Sequence, residues 1–225
     1  VNGLTRLANP AAVVRWNTDK RYLLDLEAAG VPTVASRVLA PGDDPAAADD
    51  VAPGRPVVVK PAVSAGGRDT ERYAPDERRA ARSHVRRLLG EGRSVLVQPY
   101  LPGIDEHGET GLVFLGDAFS HAFRKAPVLV PGTGFVAGLY REEDIAPRSA
   151  SAAELEVANA ALDAVAAAVP GHSRRDLLYA RADLVPHDGG PVVLELEVVE
   201  PSFFCSADPA AADRAADAIA SVLAS

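Results

Sequence analysis

Three acids in the C-terminal part of the chain, Asp183, Glu195 and Glu197, have the residue type and spacing to hold a hard cation. Glu195 and Glu197 lie two apart in the run from Val192 to Pro201, whose aliphatic and β-branched residues read as a strand with alternating faces. Same-face side chains in a strand stand roughly 6–7 Å apart, so both carboxylates face one side. Leu194, Leu196 and Val198 are expected on the other, in a core. Two adjacent carboxylates beside a buried face are costly without a counter-charge. Mg²⁺, which favours a few carboxylate oxygens plus substrate phosphates, would supply one; water or an arginine over a half-exposed strand is the plainer alternative. Tyr179 to Val185 is a second apolar strand, carrying Asp183, and the turn from Pro186 to Pro191 makes the two a hairpin. That hairpin brings Asp183 beside the two glutamates, and three acids on one sheet face look like a metal site.

Cations suited to phosphate lie far upstream. Lys60 ends the apolar strand Val57-Val58-Val59-Lys60-Pro61 and precedes a loop containing Ser64, Ala65, Gly66 and Gly67. Backbone N–H groups of such a loop can cradle phosphate oxygens while the ammonium supplies charge. No Gly-Lys-Ser/Thr follows, so the loop is not a Walker A motif, and a surface lysine beside a flexible turn is the bland alternative. Lys20 is expected in the first turn of a helix, where a cation opposes the macrodipole unless an anion sits nearby. The strand Val95-Leu96-Val97-Gln98-Pro99 ends in Tyr100-Leu101-Pro102, whose backbone groups could pair with an adenine edge. Asp105 or Glu109, just beyond, could accept from ribose hydroxyls, though either could be an ordinary surface acid. Gly132-Thr133-Gly134-Phe135-Val136-Ala137 has the letters of a dinucleotide fingerprint, but no amphipathic helix follows it. The five histidines show no zinc-like spacing, and Cys205 reads as a small packed residue.

The elements that must position these residues alternate along the chain. A helix is expected over Asn17 to Gly30, with Asn17 or Thr18 as cap, then a strand ending near Leu39 and a loose Pro/Ala/Asp segment from Ala40 to Arg55. An amphipathic helix from about Asp76 to Leu89 should bury Ala81, Val85, Leu88 and Leu89. Strands over Thr110 to Gly116 and Ala118 to Arg124 precede a Val/Gly/Pro-rich loop from Pro127 to Gly138. The capping-box pattern Ser151-Ala152-Ala153-Glu154 opens a helix to about Val169, and Asp208-Pro209 caps a last one to about Leu223. Hairpins outnumber βαβ units, which favours an α+β fold with antiparallel sheets.

The chain has 225 residues, 48 % hydrophobic and 24 % charged, enough for one large domain or two lobes. A net charge of −8 argues against nucleic acid or an anionic membrane as a general partner. A single cysteine and the lack of a bilayer-length apolar run point to a reducing, cytoplasmic setting. There is no Met, so the chain is expected to be cut from a longer protein.

Taken in order, Lys20, Lys60 with Ser64-Ala65-Gly66-Gly67, Gln98-Pro99-Tyr100-Leu101, Gly108-Glu109, Asp183 and Glu195-x-Glu197 resemble the ATP-grasp superfamily over nearly the whole chain from Asn17. The resemblance is to the glutathione synthetase and ribosomal-protein glutamate ligase branch. The run Arg15 to Leu23, Ser120-His121-Ala122 and Glu200-Pro201 are also similar to ligases of the D-cycloserine-forming kind. It implies two α+β lobes clasping ATP between antiparallel sheets: a connector and helix over 1–30, a lid lobe over 31–99 and a metal-binding lobe over 100–225. A preceding α/β domain, general in relatives, is expected to be absent. By the same resemblance Lys20 and Lys60 hold the α- and β-phosphates, and Ser64, Gly66 and Gly67 close over the β- and γ-phosphates. Gln98, Tyr100 and Leu101 read adenine, Glu109 takes the ribose, and Asp183, Glu195 and Glu197 hold two Mg²⁺ ions. Lys125 faces the γ-phosphate, with Arg124 and Arg181 as further candidate catalytic cations, and loops 64–67 and 127–138 act as lids. The implied activity activates a small acid as an acyl phosphate, which an amine then captures. The other reading is a nucleotide-binding regulatory or pseudo-enzyme module. A homodimer is left open.

Overall fold

The computed structural model describes residues 7–127, 129 and 144–224. The loop expected over 127–138 and the Gly132–Ala137 run lie almost wholly outside them.

Two short helices open the chain, α1 (Ala11–Asn17) and α2 (Tyr22–Ala28). One helix over Asn17 to Gly30 was expected, and tertiary hydrogen bonds explain the break. Asn17 ends α1 with its amide donating to the Leu196 carbonyl (2.7 Å) and accepting from the Val198 N–H (2.9 Å). The Tyr22 hydroxyl accepts from the Leu196 N–H (2.8 Å) and the Lys20 N–H donates to the Ala62 carbonyl (2.7 Å). Lys20 therefore stands in the turn between the helices and not within the first turn of one.

The first sheet contains β1 (Arg37–Leu39), β2 (Val57–Pro61), β3 (Glu71–Tyr73) and, after α3 (Arg78–Gly90), β4 (Val95–Pro99). Its order is β1-β4-β2-β3, antiparallel throughout. Val57, Val59, Val95 and Val97 pack against Ala81, Val85, Leu88 and Leu89 of α3, the inner face read from the sequence. Of the strand expected up to Leu39, only the last three residues pair in this sheet. Thr33 instead bridges Val193, tying the two sheets together.

A short helix α4 (Gly103–His107) leads into the second sheet. Its strands are β5 (Glu109–Leu115), β6 (Ala118–Lys125), β7 (Ile145–Arg148), β8 (Tyr179–His187) and β9 (Gly190–Glu197), with α5 (Ala152–Asp163) and α6 (Val165–Ala168) between β7 and β8. The order is β7-β6-β5-β8-β9, again all antiparallel. One face buries Leu112, Phe114, Leu184 and Leu196 against Tyr22, Leu26, Leu162 and Val165. The capping box at Ser151 forms as expected, with the Glu154 carboxylate accepting from the Ser151 N–H (2.8 Å). The final helix α7 (Ala211–Leu223) starts later than Asp208; that acid accepts from the Ala210 N–H and pairs with Arg214.

One register shift matters for the site. Asp183 pairs with Glu195 but Leu184 pairs with Val193, so Leu194 is an extra residue in a β-bulge. Leu194 does not share the core face of Leu196 and Val198, as simple alternation required. It packs instead with Val34, Val58, Tyr100, Leu101 and Ile104.

Gly108, which turns the chain from α4 into β5, has φ +75° and abuts the Lys125 carbonyl. An alanine there meets both a disfavoured backbone conformation and a collision with main chain. We expect Gly108→Ala to destabilise by about 2 kcal/mol or more and to displace Glu109 and Lys125, read as a lowered unfolding midpoint together with weakened nucleotide binding.

Candidate active site

Between the two sheets lies a cavity of about 770 Å³. Of the residues singled out above, it is lined by Lys20, Lys60, Ser64, Gly66, Gly67, Gln98, Tyr100, Leu101, Glu109, Lys125, Arg181, Glu195 and Glu197.

At one end, cations and acids interleave. The Lys20 ammonium bonds Glu195 Oε1 and the Ser64 carbonyl, both at 2.9 Å. Lys125 stands 3.3 Å from Glu109 Oε2 and 3.3 Å from Asp183 Oδ2. Arg181 grips Asp183 with two donors, Nε at 2.8 Å and Nη2 at 2.9 Å; Nη2 also reaches Glu197 at 2.6 Å and Nη1 the Ser202 carbonyl at 3.0 Å. Lys60 is 6 % exposed and has no hydrogen-bond or ion-pair partner among the described residues. Burial lowers its pKa to about 8, partly opposed by Glu195 and reinforced by Lys20.

The acids respond in opposite senses. Burial would raise Glu195, but Lys20 and Lys60 outweigh it and hold the carboxyl down to about 2. Glu197 is pushed up to about 8 by burial, Arg181 only partly offsetting the effect of burial and of nearby Asp183 and Glu195. Two carboxylates separated this widely are a mark of functional sites. Burial likewise raises Glu109, with Lys125 opposing.

The expected triad of acids is not a single ligand cluster. Asp183 pairs with Glu195 as the hairpin required, yet it is 1 % exposed and absent from the cavity wall. Both its oxygens accept from Arg181, two residues earlier on the same face. Among the described residues, no three His, Cys, Asp or Glu side chains are placed to hold a metal together. Glu195 and Glu197 do face the cavity, paired through Oε1 with Lys20 and Arg181 respectively. That pair, in which Glu197 shares its arginine with Asp183, fits a hard cation bound jointly with phosphate oxygens.

Two further candidates fall elsewhere. Asp105 is held by both oxygens to Arg72 (3.0 Å) and by the Tyr100 hydroxyl (2.5 Å), outside the cavity. Arg124 is next to Lys125 on β6 and so points to the other face, where Nε donates to the His107 carbonyl (2.7 Å).

The opposite end of the cavity is apolar: Val34, Val58, Leu101, Ile104, Leu129 and Leu194. Here the Tyr100 N–H is used by the Pro56 carbonyl and the Leu101 carbonyl by the Ile104 N–H. The buried Leu101 N–H has no partner among the described residues and is available to a ligand. Gln98 donates to the Ser36 hydroxyl (2.8 Å). Apart from Leu101, sequence reasoning missed these aliphatic residues as cavity lining, and also Ser202 and Phe204. The latter has a left-handed backbone (φ 46°), and its ring packs 4.7 Å from Phe123 beside the Arg181 guanidinium. Two consecutive aromatics after Glu200-Pro201 were the available signal.

Comparison with known proteins bears on the family and the fold. No family model matches the chain. It is 42 % identical over 230 residues to the cycloserine biosynthesis protein DcsG of Streptomyces lavendulae, covering 98 % of this chain and 74 % of that protein. The chain belongs to the ATP-grasp ligase family. The crystal structure of the D-cycloserine synthetase DcsG superposes on this ATP-grasp chain with a TM-score of 0.86 and 38 % identity, covering 99 % of this chain and 75 % of that one. The D-alanine–D-alanine ligase of Bacillus anthracis in complex with ATP, 18 % identical, shares the fold with a TM-score of 0.64 over 95 % of this chain and 68 % of its own. The antiparallel α+β architecture is thus the ATP-grasp fold, and the protein is an ATP-dependent ligase of the carboxylate–amine type. Among the described residues no helix is long and apolar enough to cross a membrane.

Proposed function

We propose that this ATP-grasp ligase binds Mg·ATP along the cavity, adenine at the aliphatic end and phosphates among the lysines. A small, amino-acid-derived acid would be activated beside Arg181. The observation that carries this reading is the polarity of one continuous cavity. Its apolar end offers an unpartnered Leu101 N–H, and its other end gathers Lys20, Lys60, Lys125 and two cavity-facing glutamates. The portion over 31–99 acts as the lid lobe and 100–225 as the lobe carrying the acids, with 1–30 as connector.

In this assignment Val34, Val58, Ile104 and Leu194 enclose the base, and Leu101 donates to its edge. Gln98 stays with Ser36 at the base, and Glu109 keeps one oxygen for a ribose hydroxyl. Lys20, Lys60 and the loop N–H groups of Ser64, Gly66 and Gly67 hold the phosphates. Lys125 meets the transferring phosphoryl group, where fixed cations offset the charge that spreads over its oxygens. Glu195 and Glu197 hold Mg²⁺, which when bound would offset phosphate charge; Asp183 stands behind them and fixes Arg181 and Lys125. An arginine has five N–H donors. Four are spoken for here, leaving one Nη1 hydrogen for an oxygen of the acid. The likeness to a D-cycloserine synthetase supports a substrate whose own amine attacks the acyl phosphate. The lone Cys205, free of any disulfide, suits a cytoplasmic setting.

The test is thermal unfolding with ATP or ADP, each with and without Mg²⁺, followed by ADP release with small amino-acid-derived acids. A ligand at about a hundred times its dissociation constant adds about 2.7 kcal/mol, a rise of several degrees. We expect a Mg²⁺-dependent rise that Glu195→Gln loses, each shift being read against that protein's own nucleotide-free midpoint, which should fall in Glu195→Gln with the loss of the Lys20 ion pair. A Glu195→Gln protein with the parent's Mg²⁺-dependent shift would remove this residue from the metal site.

A further inference from the structure

The loop lining the phosphate end, from Ala62 to Thr70, is held firmly only at its two ends. At the near end the Ala62 N–H donates to the Ser94 carbonyl (2.9 Å), while Lys20 holds the Ala62 and Ser64 carbonyls. Between the ends, Ala65, Gly66, Gly67 and Arg68 are exposed, with Gly66 and Gly67 at φ 63° and 67°. Among the described residues their backbone makes two turn contacts, Arg68 N–H to the Ala65 carbonyl (3.3 Å) and Thr70 N–H to the Gly67 carbonyl (3.1 Å). At the far end stands Asp69, a non-glycine residue with φ 55°. Its carboxylate accepts from Arg87 of α3 (2.9 Å) and from Arg93 before β4 (2.6 Å). Both arginines also reach Glu91, at 3.0 and 3.4 Å, so neither depends on Asp69 for its place.

We propose that Asp69 is a positioning residue for the nucleotide: the fixed far hinge of the phosphate loop. Clamped by two arginines of the same lobe, it holds a left-handed turn that returns the chain into β3. The intervening backbone can then fold onto phosphates from a constant starting point. This rests on the reading that phosphates occupy the lysine end of the cavity. A purely stabilising role is the competing account, but partly exposed ion pairs contribute little to stability. The left-handed backbone separates the two further, because asparagine tolerates it and still offers an oxygen to the arginines, whereas alanine does neither.

The experiment uses the full chain and Asp69→Ala and Asp69→Asn, with MgCl₂ and ATP as probe. Affinity is read by calorimetric titration, and loop mobility by the rate at which trypsin cuts after Arg68. We expect Asp69→Ala to weaken ATP binding about tenfold with an unfolding midpoint near the parent's, and Asp69→Asn to recover most of that loss. Cleavage after Arg68 without nucleotide should be faster in Asp69→Ala than in Asp69→Asn; both variants lack the acid that itself slows trypsin at this bond. Unchanged affinity in Asp69→Ala, or equal losses in both variants with a lowered midpoint, would overturn the inference. If the parent itself bound no ATP, the reading of the site would fail. The nucleotide-free cleavage rates would still judge the hinge, equal rates counting against it.

Discussion

Lys60→Met is expected to reduce ADP formation by about two to three orders of magnitude while leaving the nucleotide-free protein as stable as before, or more so. The two halves have one cause. Lys60 lies at the end of β2 with 6 % exposure and no partner among the described residues, and burial lowers its pKa to about 8. A depressed lysine pKa means that below pH 8 the folded state bears a charge it disfavours. Between about 8 and 10.5 the unfolded chain binds more protons, so stability rises with pH across that window. Methionine removes the cost and should flatten that slope. Phosphates reverse the preference, since an anion at the ammonium restores the charged form. Binding of Mg·ATP to the parent should therefore take up a proton above pH 8 and weaken there by at most about tenfold per pH unit. Calorimetric titration at pH 7 and 9.5 checks this. A Lys60→Met protein that formed ADP at the parent's rate would remove Lys60 from the site.

Arg181→Met is expected to have the largest effect on stability. Asp183, 1 % exposed, accepts from Arg181 through both oxygens, and methionine would leave it, among the described residues, with Lys125 at 3.3 Å as its remaining cation. Breaking a buried pair on one side costs about 3–5 kcal/mol, here a fall in midpoint on the order of 10 °C. Adding Asp183→Asn should restore part of the midpoint by removing the uncompensated charge, a non-additivity expected of direct partners. ADP formation should not return with it, because the donor offered to the acid substrate is still missing. Arg181→Lys should fall between, keeping charge without the planar fork. Full activity in the double variant would show that Arg181 serves only to neutralise Asp183.

Features encoded over a few neighbouring residues were legible in the sequence. The valine run before Lys60, the inner face of α3, the Ser151 capping box and the acidic hairpin each follow from local periodicity or turn chemistry. So did the order of lysines, loop and acids that led to the family. Facing was harder to read. Arg124 and Lys125 are adjacent on β6, so only one can reach the cavity, and no local rule says which. Asp105 has the right type and place in the chain but is claimed by Arg72 and Tyr100, 33 residues away in one case and five in the other. Asn17 looked like a helix cap because its partners, the backbone at Leu196 and Val198, lie some 180 positions downstream. The aliphatic wall around Leu101 was illegible for another reason: in a sequence, a valine lining a cavity and a valine filling a core are the same letter.

The extra residue at Leu194 ties base and phosphate recognition to one piece of backbone. Because the bulge lets Leu194 and Glu195 both face the cavity, neighbouring positions of β9 serve its apolar and its charged ends. Losing that one residue would turn the bulge into a regular strand: Val193 and Leu196 would stay in the core and Glu195 and Glu197 on the cavity side, while the apolar end would lose a side chain. The bulge is therefore an addition to the apolar wall and not a condition for the facing of the two glutamates. Divergence in nucleotide preference within such a scaffold is open at position 194, where the wall around the base can change while the two glutamates keep their places.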